Sequence, residues 1–195
     1  EYDRTHRALW SAFDAWVQEQ GAPPLPDLEF VATSEHANLY VFPEEADYTG
    51  LRPLDATWHR MDSSVRRTDE QYVVPAEVAD RPEGSALVYL SLGSLGSADV
   101  ELMKRLVDVL GQTPHRYIVS KGPQHDQYEL ADNMVGAEFL PQTTIIPQVD
   151  AVITHGGNNT TTEALHFGTP MILLPLFWDQ YDNAQRMDEL DFGVR

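Results

Sequence analysis

The sequence predicts an α/β fold, a Rossmann-like, doubly wound parallel sheet preceded by part of a second α/β domain. Two observations predict it. From Ala86 onward apolar runs alternate with short helical or turn segments, and each run is apolar throughout instead of alternating with polar residues, as strands covered on both faces are. Such sheets bind ligands at the carboxyl ends of their strands, which is where a functional site is expected.

Residues 5–20 carry Leu9, Phe13, Trp16 and Val17 at helical spacing, and Gly21 with Pro23-Pro24 ends that helix. Leu39-Tyr40-Val41-Phe42 reads as a short strand before Pro43, while residues 57–65 favour no single element. Residues 66–84 turn to charge and Pro with few large apolar side chains, the composition of a linker. Residues 86–92 then read as a buried strand, followed by the loop Gly93-Ser94-Leu95-Gly96-Ser97. A helix over 99–110 places Val100, Met103, Leu106, Val107 and Leu110 on one face and ends at Gly111. Further strands are predicted at 116–120, 135–140, 151–154 and 171–175. A helix through 163–167 stops at Gly168 and Pro170, and another covers 181–190. The domains expected are therefore 1–65, a linker at 66–85, and 86–195. The chain begins at Glu1 in helix-like sequence and stops within Phe192-Gly193-Val194-Arg195, which reads as the start of a strand. It is read as a fragment.

With Lys+Arg 13 against Asp+Glu 31, the formal net charge is −18. Most of this surface repels a polyanion, which argues against a nucleic-acid partner. An anionic small ligand would need local donors, such as backbone N–H groups at a helix N-terminus or a His. No run of eighteen apolar residues occurs, so no membrane span is expected. The absence of cysteine rules out disulfides and thiolate zinc sites and fits a reducing, cytoplasmic compartment.

The informative stretch runs from Phe139 to Gln185, FLPQTTIIPQVDAVITHGGNNTTTEALHFGTPMILLPLFWDQYDNAQ. A strand ends at His155, and Gly156-Gly157 turns the chain directly into a helix beginning near Asn159. Glycines there let the backbone approach a ligand closely. The free N–H groups of the first helical turn point out of the strand end, and the helix dipole favours an anion by about 0.3–1 kcal/mol when exposed. Asn159, Thr160 and His155 add side-chain donors. This is the pattern of a phosphate site without a Lys. Taken alone, His155-Gly156-Gly157-Asn158 is equally a tight strand–helix turn with a capping Asn or Thr.

Together with its flanks, the stretch resembles the signature block of the UDP-glycosyltransferase superfamily, especially its bacterial macrolide and natural-product members. The resemblance covers about 86–195 well and 39–65 more weakly, as the end of the family's acceptor domain. It implies a GT-B fold in which 86–195 is the nucleotide-sugar donor domain. By that resemblance Phe139 stacks on the base, where the family usually has Trp, and Gln142 helps to hold the nucleoside. His155, Asn159 and Thr160 contact the diphosphate at the Gly157 turn, and Ser94 adds a phosphate contact. Glu163 takes the ribose hydroxyls, as a carboxylate can accept from two vicinal hydroxyls. Asp179 and Gln180 read the sugar hydroxyls. Asn158 stands where plant members commonly have Trp. Each residue also has a plainer reading: Phe139 as core, Glu163 as a capping-box carboxylate, Asp179 and Gln180 as a solvated turn, Phe177 and Trp178 as packing.

The resemblance further implies inverting transfer of a sugar from a UDP- or dTDP-sugar, a co-substrate and not a cofactor, to a small hydroxylated acceptor. Negative charge growing on the diphosphate needs stabilisation, and the acceptor hydroxyl needs a base. No metal is implied, and no Asp-x-Asp triplet occurs. The family's base is a His expected upstream of Glu1, so no catalytic residue is assigned in this chain. Two other readings stand beside this one: a sugar-nucleotide epimerase using the same pocket, and a non-catalytic partner that kept the shape. A Rossmann dehydrogenase is excluded, because residues 93–97 do not supply Gly-x-Gly-x-x-Gly.

Overall fold

A computed structural model describes residues 2–195 apart from Arg52, Ser63 and Asp69. It divides into two compact units, Glu1–Tyr40 with Thr49–His59, and Val41–Tyr48 with Arg60–Arg195. The first unit holds helix α1 (Tyr2–Glu19). Its Phe13 stacks on Trp16 and Phe30, and the Trp10 indole N–H donates to the carbonyls of Pro26 and Glu29. Strands β1 (Asn38–Tyr40) and β2 (Trp58–Arg60) pair as a two-stranded sheet.

The second unit is the predicted doubly wound domain. Its elements are α2 (Ala76–Ala79), β3 (Leu87–Ser91), α3 (Gly93–Gly96), α4 (Val100–Leu110), β4 (Arg116–Ser120), β5 (Met134–Ala137), α5 (Gln142–Ile145), β6 (Ala151–Thr154), α6 (Asn158–Phe167), β7 (Met171–Leu173), α7 (Gln180–Glu189) and β8 (Gly193–Val194). The six strands β3–β8 are parallel, in the order β5-β4-β3-β6-β7-β8. Numbered within the unit this is 3-2-1-4-5-6, the order of a dinucleotide-binding sheet, whose ligand crevice opens between its first and fourth strands. Here those are β3 and β6.

Why the strands read as continuous apolar runs is visible in the core. Leu87 and Tyr89 of β3, Ile118 of β4 and Val152 of β6 pack into one cluster with Val78, Ile145, Ala164, Ala184 and Met187. Their neighbours Val88, Leu90, Tyr117, Val119 and Ile153 pack on the opposite face with Met103 and Val107 of α4. The sheet is thus sealed on both sides, at about 25 cal/mol for each Å² of apolar surface removed from water.

Three differences from the sequence reading have physical causes. Residues 66–85 do not behave as a free linker, since Val78 is fully buried and Tyr72 and Val74 pack against the same core cluster. The segment Val41–Tyr48 groups with the α/β unit because Arg186 of α7 holds it. Its Nε donates to the Ala46 carbonyl at 2.9 Å and a terminal nitrogen to the Asp47 carbonyl at 3.2 Å, with the guanidinium 4.6 Å over the Tyr48 ring. The run after β3, expected as a loop, is a single helical turn, α3.

Candidate functional site

Strands β3 and β6 pair in register, with Ser91 beside Thr154, so both chains leave the sheet at the same edge. From β3 the chain turns at Gly93, whose φ of +66° is left-handed, and from β6 at Gly156, with φ of +84°. L side chains avoid this region, and glycine enters it without penalty. The close packing concerns His155. A Cβ on Gly93 would lie 3.0 Å from the imidazole, and one on Gly157 would lie 2.6 Å from its Nε2. The ring is therefore seated between two backbones that only glycines bring this near.

His155 is half-buried, its Nδ1 3.4 Å from the Thr154 hydroxyl. Burial pushes its pKa below the ordinary histidine value, and the Asp179 carboxylate opposes that shift. At neutral pH it is a neutral ring with one N–H to give. Beside it α6 opens at Gly157, in extended conformation with no side chain to cap the helix. Asn158 does not substitute, because its side-chain oxygen accepts from Asn183 Nδ2 at 2.8 Å. The first turn of this ten-residue helix thus has no side-chain cap at its N-cap residue.

These groups border a cleft of about 420 Å³, lined by Ser91, Gly93, Ser94, Leu95, Gln142, His155, Gly157, Asn158, Asn159, Thr160, Phe177, Trp178, Asp179 and Gln180. No Lys or Arg is among the lining residues, so an anion there would be met by backbone N–H groups, His155, Asn159, Thr160 and Ser94. A larger cavity of about 690 Å³ lies at the opposite, amino edge of the strands, bordered by Glu44, Glu45, Asp62, His166 and Asp191. Its acidic rim suits no anion, and in a doubly wound sheet ligands bind at the carboxyl edge.

Eight of the ten candidate residues share the cleft: Ser94, Gln142, His155, Gly157, Asn159, Thr160, Asp179 and Gln180. Glu163 lies one turn deeper, buried, and borders a smaller neighbouring cleft of about 190 Å³ with Asn158 and Asn159. Gln142 Nε2 donates both to a Glu163 carboxylate oxygen and, at 3.3 Å, to the Thr160 hydroxyl. Phe139 is 65% exposed and does not line the main cleft. Gln180 is buried, and its side-chain oxygen accepts from the backbone N–H groups of Leu176 and Phe177 at 2.9 and 3.1 Å. What it offers a ligand is its amide N–H side.

Two residues went unassigned in the sequence. Asn183 is buried, and its amide donates to the Gly156 carbonyl and to Asn158, both at 2.8 Å, and to Asp179 at 3.5 Å. It ties the turn after β6 to the start of α7, and its spacing of four from Asp179 on a helix was the available signal. Trp178, expected as packing, is 77% exposed and lines the cleft.

A 3-2-1-4-5-6 parallel sheet with an uncapped helix N-terminus at its crevice defines a Rossmann-like, doubly wound α/β domain. Within that class, residues 72–195 match the model of the UDP-glucoronosyl and UDP-glucosyl transferase family. The chain belongs to this family. It is 31% identical over 162 residues to a sterol 3-beta-glucosyltransferase of Pichia angusta, which covers 79% of this chain and 13% of that protein. To the NDP-glycosyltransferase YjiC of Bacillus subtilis it is 27% identical over 191 residues, 96% of this chain and 47% of that one. Among solved structures the kitacinnamycin glycotransferase superposes with a TM-score of 0.76 at 22% identity, covering 97% of this chain and 49% of that one. The likeness establishes the GT-B fold. The chain spans about half the length of that structure and of the Bacillus relative, and far less of the sterol enzyme. Among the described residues no helix is long and apolar enough to cross a membrane.

Proposed function

We propose that this chain supplies the donor site of an inverting glycosyltransferase that moves a sugar from a UDP- or dTDP-sugar to a hydroxyl of a small natural-product acceptor. The observation that carries the reading is the His155 ring, seated between Gly93 and Gly157 at the β3/β6 crevice beside an uncapped helix N-terminus. As the glycosidic bond breaks, negative charge builds on the departing diphosphate. Fixed donors at that position stabilise the transition state more than the ground state. The neutral His155 N–H, the first-turn N–H groups of α6 and the Asn159 and Thr160 side chains are those donors, and they need no metal. Gln142 and Glu163 hold the nucleoside, with Phe139 as its stacking face, and Asp179 with the Gln180 amide meets the sugar. The acceptor's base lies outside this set.

Calorimetric titration of the folded chain with UDP, dTDP and NAD tests the reading. Binding of UDP or dTDP and not NAD is expected. Binding of NAD instead would overturn it, and binding of none of the three would overturn it in favour of the non-catalytic partner.

A further inference from the structure

We infer that Trp178 is the platform on which the donor's sugar ring lies, a specificity-determining contact beyond the hydrogen-bonding residues already placed. The inference rests on the donor-site reading above.

Trp178 has a left-handed backbone, with φ of +54°. For a bulky L residue this is a strained conformation, held only where the surroundings leave no alternative, and such residues concentrate at functional sites. The surroundings here are specific. Gln180 Oε1 accepts from the N–H groups of both Leu176 and Phe177, the Tyr181 hydroxyl donates to the Leu176 carbonyl at 3.2 Å, and the Gln180 N–H donates to the Phe177 carbonyl at 3.4 Å. With the turn fixed from both ends, the indole is sent outward into the cleft instead of back into the core. Phe177 supports it edge-on, the ring centroids 5.1 Å apart at 75°. The largest apolar side chain type is thus held 77% exposed on a cleft wall, at a cost in backbone strain.

The neighbouring groups identify the occupant. Asp179 and the Gln180 amide follow directly in the chain and border the same cleft. A pyranose presents hydroxyls around its rim and a patch of weakly positive C–H groups on its face. It is matched by a carboxylate and an amide beside the negative face of an aromatic ring. A phosphate has no apolar face to offer the indole, and its donors lie around His155 and α6.

The test uses Trp178→Gly and Trp178→Phe, titrated with UDP and UDP-glucose and, in parallel, dTDP and dTDP-glucose. Glycine takes φ of +54° without strain, so Trp178→Gly should melt at or above the wild-type temperature. That separates a lost contact from a damaged fold. The expected result is about a tenfold loss of affinity for the nucleotide sugar in Trp178→Gly, with the parent nucleotide changed less than twofold and Trp178→Phe retaining most of the sugar affinity. If the wild-type chain binds the nucleotide and Trp178→Gly weakens nucleotide and nucleotide sugar equally, or neither, the platform is wrong while the donor site stands. If the wild-type chain binds no nucleotide, both fall together.

Discussion

Glu163 sits inside the first turns of α6 with 6% of its surface exposed, and Gln142 is its hydrogen-bonding partner. Burial raises its pKa above the ordinary glutamate value, while the Gln142 hydrogen bond and the nearby Arg66 charge act the other way. A raised folded-state pKa means that this group's contribution to stability is fully present below pH 4.5, the ordinary glutamate value, and is lost as pH rises through the folded value. Burial thus works against the ionised carboxylate, and Gln142 and Arg66 offset that only in part. Glu163→Gln keeps an acceptor for Gln142 and removes the charge. Thermal unfolding should show the variant stabilised relative to wild type at pH 7 and not at pH 4, while its UDP affinity falls by about tenfold or more, the worth of a charge-assisted hydrogen bond. A variant less stable than wild type at pH 7 would contradict this. At this scale the sequence was informative about side-chain type and silent about exposure. His155 and Thr160 read as candidate donors because they flank a strand end and a helix start, while Glu163 was singled out only by the family resemblance. The first two border the main cleft and Glu163 the smaller one beside it. Trp178 was not legible, because a backbone angle that residue types do not reveal decides whether its indole faces core or cleft. Asn183 was missed because its partners, Gly156 and Asn158, lie far away in the chain.

The element that makes the site is the turn from β6 into α6. Its geometry follows from local sequence: a β strand that ends at Thr154, a left-handed Gly156, and a Gly157 with no room for a Cβ against His155. Gly157 itself has φ of −66°, which any L residue adopts. Gly157→Ala should therefore fold with little change in melting temperature and yet displace the imidazole, since the new Cβ would fall 2.6 Å from Nε2. Its UDP affinity, read by calorimetry, should drop by about tenfold, the loss of one donor to a charged group; unchanged affinity would mean that the ring position does not matter. Elements whose apolar residues are periodic or continuous were readable in the sequence, β4 and β6 to the residue. The stretch 66–85 was not. Tyr72, Val74 and Val78 reach the core from among charges and prolines, and isolated apolar residues carry no period to read.

At the scale of the whole molecule, a carboxyl-edge crevice was predictable from a doubly wound parallel sheet, and the strand order places it between β3 and β6. The unit boundary was not predictable, because Arg186 recruits Ala46 and Asp47 from 140 and 139 positions away. The acidity of the chain also takes on meaning here. With a net charge of −18 and no cationic side chain lining the cleft, binding of an anion depends on oriented N–H groups and one neutral imidazole, which makes His155 the most informative single substitution. The measurement is a titration of the wild-type chain and His155→Ala with UDP and, separately, with uridine. His155→Ala is expected to weaken UDP binding by about tenfold or more, as loss of a hydrogen bond to a charged group does, and to leave uridine binding unchanged. Equal affinity of the two chains for UDP would contradict this.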